Sequence, residues 1–237
     1  MKLKSVFLFV ILLPLFMQSC LLSPSVKGNG DVQQEERSVA NFNEIKASRG
    51  VNVYLSQGEE TRVLVRADEN LLDVIETEVM GDQLIIRSTA RVRNAESFKV
   101  FVTSPAYESV KSSSGSNVYS ETEIVSDNLE VSASSGANIT LEINSRDLEA
   151  SASSGANIRL EGLAREFIAR ASSGANIKAE DLKTKNAELK VSSGANIWIA
   201  VDNDMKAEAS SGGNIFYHGE PSQTSINKSS GGNVKKM

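Results

Sequence analysis

The sequence predicts an all-β fold, a single-stranded parallel β-helix, from a short repeat and from alternating hydrophobicity. The phrase Ser-Ser-Gly-Ala-Asn-Ile occurs four times without change and three more times in looser form. Its glycines, at positions 115, 136, 155, 174, 194, 212 and 231, are separated by 18 to 21 residues. A period this short is typical of solenoids, in which each repeat packs on the next.

Apolar and polar residues alternate on both sides of each phrase. In one repeat, apolar residues stand before the glycine at Leu148, Ala150 and Ala152, and after it at Ile158 and Leu160. A period of two indicates strands with one buried face. Within the repeat no stretch is long and apolar enough at helical spacing to form a crossover helix. Each repeat is therefore predicted to be a strand, a tight corner, a second strand and a short polar return.

The phrase itself supplies the corner. Glycine adopts left-handed backbone angles without steric cost, and asparagine tolerates unusual angles while its amide both donates and accepts hydrogen bonds. We predict a stacked asparagine ladder along the helix, with a binding surface made by the Ser/Asn row as the alternative. The predicted corner residues are Gly115, Asn117, Gly136, Asn138, Gly155, Asn157, Gly174, Asn176, Gly194, Asn196, Gly212, Asn214, Gly231 and Asn233.

The N-terminus is typical of a secretory signal. Two lysines precede an apolar run at 6–16, which is too short to span a bilayer as a helix, and the only cysteine follows at Cys20. This end resembles a bacterial lipoprotein signal, in which the cysteine becomes the lipidated first residue, although Met17 replaces the usual Leu. An ordinary signal peptide is the alternative. We predict a signal peptide at 1–19 and a tether at 20–38.

The net charge and the sorting signals restrict the predicted partners and the predicted location. Removing residues 1–19 takes away two lysines and no acid, so the formal charge falls from −5 to −7. A net acidic chain without a basic stripe argues against nucleic acid or an anionic membrane surface as the main partner. Leu21 after the cysteine resembles the outer-membrane sorting choice of lipoproteins. The predicted location is the bacterial cell envelope, lipid-anchored through Cys20 in the outer membrane, with its surface or periplasmic side open.

Residues 39–110 are strand-rich but lack the strict repeat, whereas 111–237 carry it. Arg49-Gly50-Val51-Asn52-Val53 is a distant copy of the corner, and an N-terminal cap is expected because an open helix end is an exposed sheet edge. With Phe42-Asn43-Glu44-Ile45, Gly81-Asp82-Gln83-Leu84 and the serial Ser-Gly-x-Asn corners, residues 39–237 resemble the putative auto-transporter adhesin head GIN domain family. The resemblance implies a right-handed parallel β-helix, an adhesion or envelope role and no catalytic residues.

Enzymatic chemistry finds little support in the residues. His218, the only histidine, has neither a nucleophile motif nor a second metal ligand beside it, so no catalytic, metal or cofactor site is predicted. Ser225-Ile226-Asn227-Lys228 and Ser126-Asp127-Asn128 match penicillin-recognising motifs in reversed order, and we interpret them as chance matches. Mixed charges along the outward rows predict a solvated face with cross-rung ion pairs. A polysaccharide lyase or hydrolase is the alternative function, and a groove of clustered carboxylates would favour it.

Two large aromatic residues stand above this background. Trp198 and Phe216 both lie four residues after a corner glycine, so they should be outward neighbours on successive rungs. Aromatic residues in an exposed row mark interaction surfaces. We predict a non-enzymatic adhesin or binding module that uses this outer face. Its partner would be a glycan, an envelope protein or a second copy of the chain, unless another segment covers the rings.

Overall fold

The structure, a computed structural model, describes residues 25–237, and within them the chain forms nineteen strands and one short helix. The strands are β1 (Ser25–Lys27), β2 (Val32–Arg37), β3 (Glu44–Ser48), β4 (Asn52–Gln57), β5 (Arg62–Asp68), β6 (Ile75–Met80), β7 (Gln83–Ser88), β8 (Arg91–Arg93), β9 (Phe98–Ser104), β10 (Ser109–Ser112), β11 (Asn117–Ser120), β12 (Ile124–Ala133), β13 (Asn138–Ala152), β14 (Asn157–Ala171), β15 (Asn176–Val191), β16 (Asn196–Ala209), β17 (Asn214–His218), β18 (Gln223–Lys228) and β19 (Asn233–Lys236). A 3-10 helix, Glu69–Val74, follows β5.

From β10 onward, each strand pairs in parallel with the strand one repeat later. The register aligns the repeated phrases, so that Asn138 pairs with Asn157 and Asn157 with Asn176. Each corner therefore lies directly beside the corner of the next rung. The prediction of an all-β parallel β-helix is confirmed.

The interior is filled by the alternating apolar residues of every rung. One column runs through Leu148, Phe167, Ala187 and Met205, which pair in register and are all buried. The small Ala187 lies between the two larger side chains, so bulk in one rung is offset by a smaller residue in the next. Full burial of each large apolar side chain contributes about 1.5–3 kcal/mol, and this column repeats along the helix.

The irregular N-terminal section contains two further rungs. Strands β3 and β4 pair with β10 and β11, so the Arg49–Gly50 corner stacks directly beside Ser114–Gly115, although the two corners are 65 positions apart in the sequence. Strands β7 and β9 pair with β3 and β4 on the other side and form the first rung of the stack. The chain thus enters at the second rung, returns to build the first, and continues from the third.

Antiparallel strands cap this end of the helix. Strand β6 pairs with β7, β5 pairs with β9, and β2 pairs with β5. A row of unpaired backbone groups would otherwise stay open at the first rung, and antiparallel additions close it. The predicted tether at 20–38 is therefore wrong for residues 25–37, because β2 is part of the cap and β1 pairs with β8. The signal peptide at 1–19 and Cys20 lie outside the described residues.

The opposite end is less covered. Strands β18 and β19 pair on one side only, with β16 and β17, and residues 222–231 are all exposed. This end therefore contributes little to the core.

Candidate binding surface

Each corner is a tight turn with two left-handed residues. In the repeat around Gly174, Ser173 has φ +52° and Gly174 has φ +70°, and the Ala175 N–H donates to the Ser172 carbonyl at 3.1 Å. Positive φ at both central residues is the signature of a type I′ turn. The second left-handed residue is thus the serine, whereas the sequence argument assigned unusual angles to the asparagine.

The asparagine after each corner serves the ladder instead. Asn138 Nδ2 donates to Asn117 Oδ1 at 2.8 Å, and Asn157 Nδ2 donates to Asn138 Oδ1 at 3.0 Å. The same bond continues through Asn176, Asn196 and Asn214, and it starts at Asn52 in the N-terminal section. Within residues 25–237 Asn233 pairs with Asn214 through the backbone only. Because each amide is engaged by its neighbours, the ladder acts as a structural spine rather than as a free binding row.

Next to the ladder, one outward position of every rung forms the aromatic row. Its members pair in register across successive strands and are Phe101, Tyr54, Tyr119, Thr140, Arg159, Lys178, Trp198 and Phe216. The structure places Trp198 and Phe216 side by side, with ring centroids 5.5 Å apart and planes inclined by 19°. Lys178 Nζ lies 5.8 Å from the Trp198 ring centroid, within cation–π range. Both rings are half-buried.

A second aromatic stack lies at the other end of the same row and escaped the sequence analysis. Tyr54 stacks on Phe101 at 5.1 Å and on Tyr119 at 5.4 Å between centroids, and Lys99 Nζ lies 5.3 Å from the Tyr54 ring. A signal was present, because Tyr54 and Tyr119 each stand four residues after a corner glycine, as Trp198 does. Phe101 carries no such marker, since no corner phrase precedes β9.

Stacking along the row decides which parts of the rings a partner can reach. One face of Trp198 is against Phe216, and Lys178 covers the other; Phe216 in turn pairs with Lys235 on its far side. A sugar ring stacks on an open aromatic face, so on Trp198 it would have to displace Lys178 first. The row therefore presents ring edges, tyrosine hydroxyls and the cations between the two stacks.

The opposite sheet carries an open groove of about 940 Å³ whose lining includes several acidic residues. Most of these carboxylates have partners: Glu130 pairs with Lys111 at 2.9 Å, and Glu149 pairs with Arg170. Glu188 and Lys206, at 3.1 Å, extend the pattern along the same face. The predicted cross-rung ion pairs are thus confirmed. No group of acidic, histidine or cysteine side chains within residues 25–237 could hold a metal ion.

The remaining motif residues do not come together. His218 is exposed at the end of β17, Ser126 lies in β12 with its hydroxyl donating to the Asn128 carbonyl, and Ser225 lies in β18. Ser126 and Ser225 belong to rungs several steps apart, so no constellation of nucleophile, base and cation forms from them.

Two buried polar groups stabilise the N-terminal section. Burial would raise the pKa of the Asp68 carboxyl, but backbone N–H donors from Ser97, Gly30 and Glu96 outweigh it and hold the pKa below its ordinary value. Burial raises the pKa of the Tyr107 hydroxyl, which donates to backbone carbonyls. Asp68 thereby joins the loop after β1 to the loop before β9, a structural role.

Among the helices of residues 25–237, none has the length and apolar content needed to cross a membrane.

Taken together, a capped parallel β-helix with an outward aromatic row defines a solenoid with a surface suited to binding. The chain belongs to the family described as putative auto-transporter adhesin, head GIN domain, whose model matches residues 41–221. The predicted resemblance is thus confirmed. No protein with a curated function matches the sequence.

Three solved structures illustrate the likeness in fold. A putative adhesin from Bacteroides fragilis is 22% identical, with a TM-score of 0.81 over 90% of this chain and 100% of that one. A putative adhesin from Parabacteroides merdae is 20% identical, with a TM-score of 0.73 over 90% and 99% of the two chains. A putative lipid binding protein from Parabacteroides distasonis is 19% identical, with a TM-score of 0.69 over 90% and 100%. At these identities the likeness shows a shared fold.

Proposed function

We propose that this protein is a non-enzymatic adhesin of the bacterial cell envelope that binds a protein partner through the aromatic row. Membership in an adhesin family supports the envelope and binding role. The observation that carries the proposal is the row itself. One ring stack lies at each end of the row, and Thr140, Arg159 and Lys178 lie between the two stacks. Aromatic and arginine side chains are the residue types that dominate protein interfaces.

The stacks are suited to this use because they are already ordered. The register fixes each ring against its neighbour, so a partner would pay little further entropy to immobilise them. The seven steps from Phe101 to Phe216 span about 34 Å at about 4.8 Å per rung, which is enough for an interface of standard size. A second copy of this chain is one possible partner, as the sequence predicts, and another envelope or surface protein is the other.

Half-burial limits what Trp198 and Phe216 can contribute alone. The rings already cover part of each other, so less apolar area remains to be buried than two isolated rings would offer. The cations and hydroxyls of the row must therefore supply much of the specificity.

Light scattering and a variant pair test the proposal. Residues 21–237 include every described strand, so this chain can be compared with Trp198→Ala/Phe216→Ala and with Ile168→Ala, an outward apolar residue on the opposite sheet. Concentration-dependent dimers that the double variant loses and Ile168→Ala keeps would identify a second copy as the partner. Binding to bacterial or host surface proteins that follows the same pattern would identify a different partner. If the double variant binds every tested protein as well as the parent does, the aromatic row is not the binding site.

A glycan partner is the competing candidate, favoured by the cations between the stacks. A glycan array probed with the same three proteins separates the two. Because Phe216 and Lys178 cover the two faces of the Trp198 ring, we expect any glycan signal to depend on Arg159 and Lys178 rather than on Trp198.

Carbohydrate cleavage is the alternative that the acidic groove keeps open. Three of its carboxylates, those of Glu130, Asp147 and Glu149, are held in ion pairs, which supports a solvated structural face instead. Incubation with acidic and neutral polysaccharides, with release of reducing ends as the readout, tests it. Activity that disappears in Glu108→Gln or Asp127→Asn would favour the enzyme.

We further propose that Cys20 is the lipid anchor and that it places the protein in the outer membrane. Metabolic labelling with an alkyne fatty acid, followed by membrane fractionation, tests this. The parent should carry the label in the outer-membrane fraction, and Cys20→Ser should lose it. A labelled Cys20→Ser variant would contradict the anchor.

A further inference from the structure

The small sheet of β1 and β8 gathers three cations from distant parts of the sequence. Ser25 pairs with Arg91, Val26 with Val92 and Lys27 with Arg93. Val26 and Val92 pack toward the core, so the alternate residues project from the opposite face. Lys27, Arg91 and Arg93, here called the basic patch, are all exposed.

The basic patch differs from the directly paired cations Arg170 and Lys190 of the β-helix in its lack of ion-pair partners among residues 25–237. Arg170 pairs in register with Lys190, but Arg170 forms an ion pair with Glu149 and Lys190 lies 3.7 Å from Glu208. Here Lys27 lies directly opposite Arg93, and like charges in directly paired positions destabilise a sheet. Within residues 25–237 none of the three cations has an ion-pair partner, and the preceding 24 residues contain no Asp or Glu that could supply one.

Two acidic residues beside β1 have other hydrogen-bond partners. Asp68 is enclosed by backbone N–H groups, and Glu69 accepts a hydrogen bond from Asn29 Nδ2 at 3.1 Å. A bound anion would relieve the repulsion among the three cations of the patch.

The position of the patch indicates which anion. Strand β1 begins at Ser25, five residues after Cys20. Five extended residues reach at most about 18 Å, so a lipid on Cys20 would hold the patch within that distance of the bilayer surface. The loop that carries β8 joins the two strands of the first rung, at the side of the Arg49–Gly50 corner.

We propose that the basic patch docks on the anionic lipid headgroups of the membrane that carries the anchor, and so orients the β-helix on its surface. The orientation rests on the proposed lipid anchor at Cys20, whereas headgroup binding by the patch does not. A net charge of −7 and the lack of a basic stripe in the sequence predict against an anionic surface as the main partner, but they conceal a local cluster in which Lys27 lies 64 and 66 positions before Arg91 and Arg93.

Vesicle sedimentation tests the patch without the anchor. The unlipidated chain 21–237 is mixed with vesicles of phosphatidylcholine alone or of equal parts phosphatidylcholine and phosphatidylglycerol. Each cation near an anionic surface should raise partitioning about 5-fold, so Lys27→Ala/Arg91→Ala/Arg93→Ala should lower it about 100-fold. The matched control, Lys183→Ala/Lys185→Ala/Lys228→Ala, removes the same charge from exposed positions elsewhere and should lower it much less.

Folding and specificity are checked alongside. Far-UV circular dichroism spectra and melting temperatures equal to those of the parent show that both triple variants are folded. If the alanine variant of the patch is not folded, glutamine replacements at Lys27, Arg91 and Arg93 take its place. Inorganic phosphate at constant ionic strength should leave vesicle binding unchanged. Equal binding to both vesicle types, equal loss in the two triple variants, or displacement by inorganic phosphate would each overturn the proposal. Missing fatty-acid label on Cys20 would refute the anchor while leaving this result intact.

Discussion

Replacing Gly162 by Ala should destabilise the β-helix more than the same change at a corner glycine. Gly162 has φ +109°, and it pairs with Ile143 in the preceding rung. A Cβ built at this position would lie 2.1 Å from the Ile143 carbonyl oxygen. The obstacle is a backbone atom rather than the end of a flexible side chain. The contact is shorter than ordinary van der Waals spacing by more than about 1 Å, so the two rungs would have to separate locally by about that distance.

Two costs add in this variant. The backbone angles cost a non-glycine residue about 1–3 kcal/mol. Loss of one or two hydrogen bonds beside Ile143 adds about 0.5–1.5 kcal/mol each. The sum is about 1.5–6 kcal/mol, which for a chain of this length corresponds to a Tm lower by about 3–24 °C.

Gly174→Ala is the matched control. Gly174 is also left-handed, at φ +70°, but its Cβ would have nothing within 4 Å, and Ser173 beside it already carries a side chain at φ +52°. The expected cost is about 1–2 kcal/mol, from the backbone angle alone. Urea denaturation of both variants, with circular dichroism as the signal, gives the comparison. Equal destabilisation would show that rung contact at Gly162 does not limit stability and would refute the reasoning.

Two further predictions concern the ladder and the cap. Asn157→Ala removes one donated and one accepted side-chain hydrogen bond and should cost about 1–3 kcal/mol, whereas Asn233→Ala, without a ladder bond in residues 25–237, should stay within about 0.5 kcal/mol by urea denaturation. Because the folded-state pKa of Asp68 is lowered, its ionised form stabilises the fold above the ordinary pKa of about 3.9, and this contribution is lost as the pH falls through the folded value. Asp68→Asn should therefore be less stable than the parent at neutral pH, with a difference that narrows on acidification; a constant difference would contradict this.

Much of the regular section could be predicted because sequence and geometry share one period. The phrase fixes the corner, the corner fixes the register, and the register places Trp198 beside Phe216. The exposure of the rings could not be predicted in the same way. It depends on how adjacent side chains stack, and Lys178 covers a ring face that a strand pattern alone leaves open.

The N-terminal section was harder because its contacts are distant in sequence. Strand β4 pairs with β11 across 65 residues, and β9, which completes the first rung, carries no corner phrase. Strand β2 lies within the predicted tether, and five of its six residues are polar. An edge strand that pairs on one side and covers little core has no need of apolar alternation, so its sequence carries no strand signal.

The two ring stacks lie at opposite ends of the helix, and this separation predicts which partner each one meets. The basic patch belongs to the first rung, close to Phe101 and Tyr54. Trp198 and Phe216 lie about 29 and 34 Å from Phe101 along the row. If the anchor and the patch hold the first rung at the membrane, a partner on another cell reaches the Trp198 stack first, and a partner in the same membrane reaches the Tyr54 stack. In bacteria that carry the lipidated protein, Trp198→Ala/Phe216→Ala should then reduce adhesion to other surfaces, and Tyr54→Ala/Tyr119→Ala should leave it largely intact. Matched surface expression of the two variants is the control, and the reverse order of effects would show that the Tyr54 stack meets the other surface and would contradict this orientation.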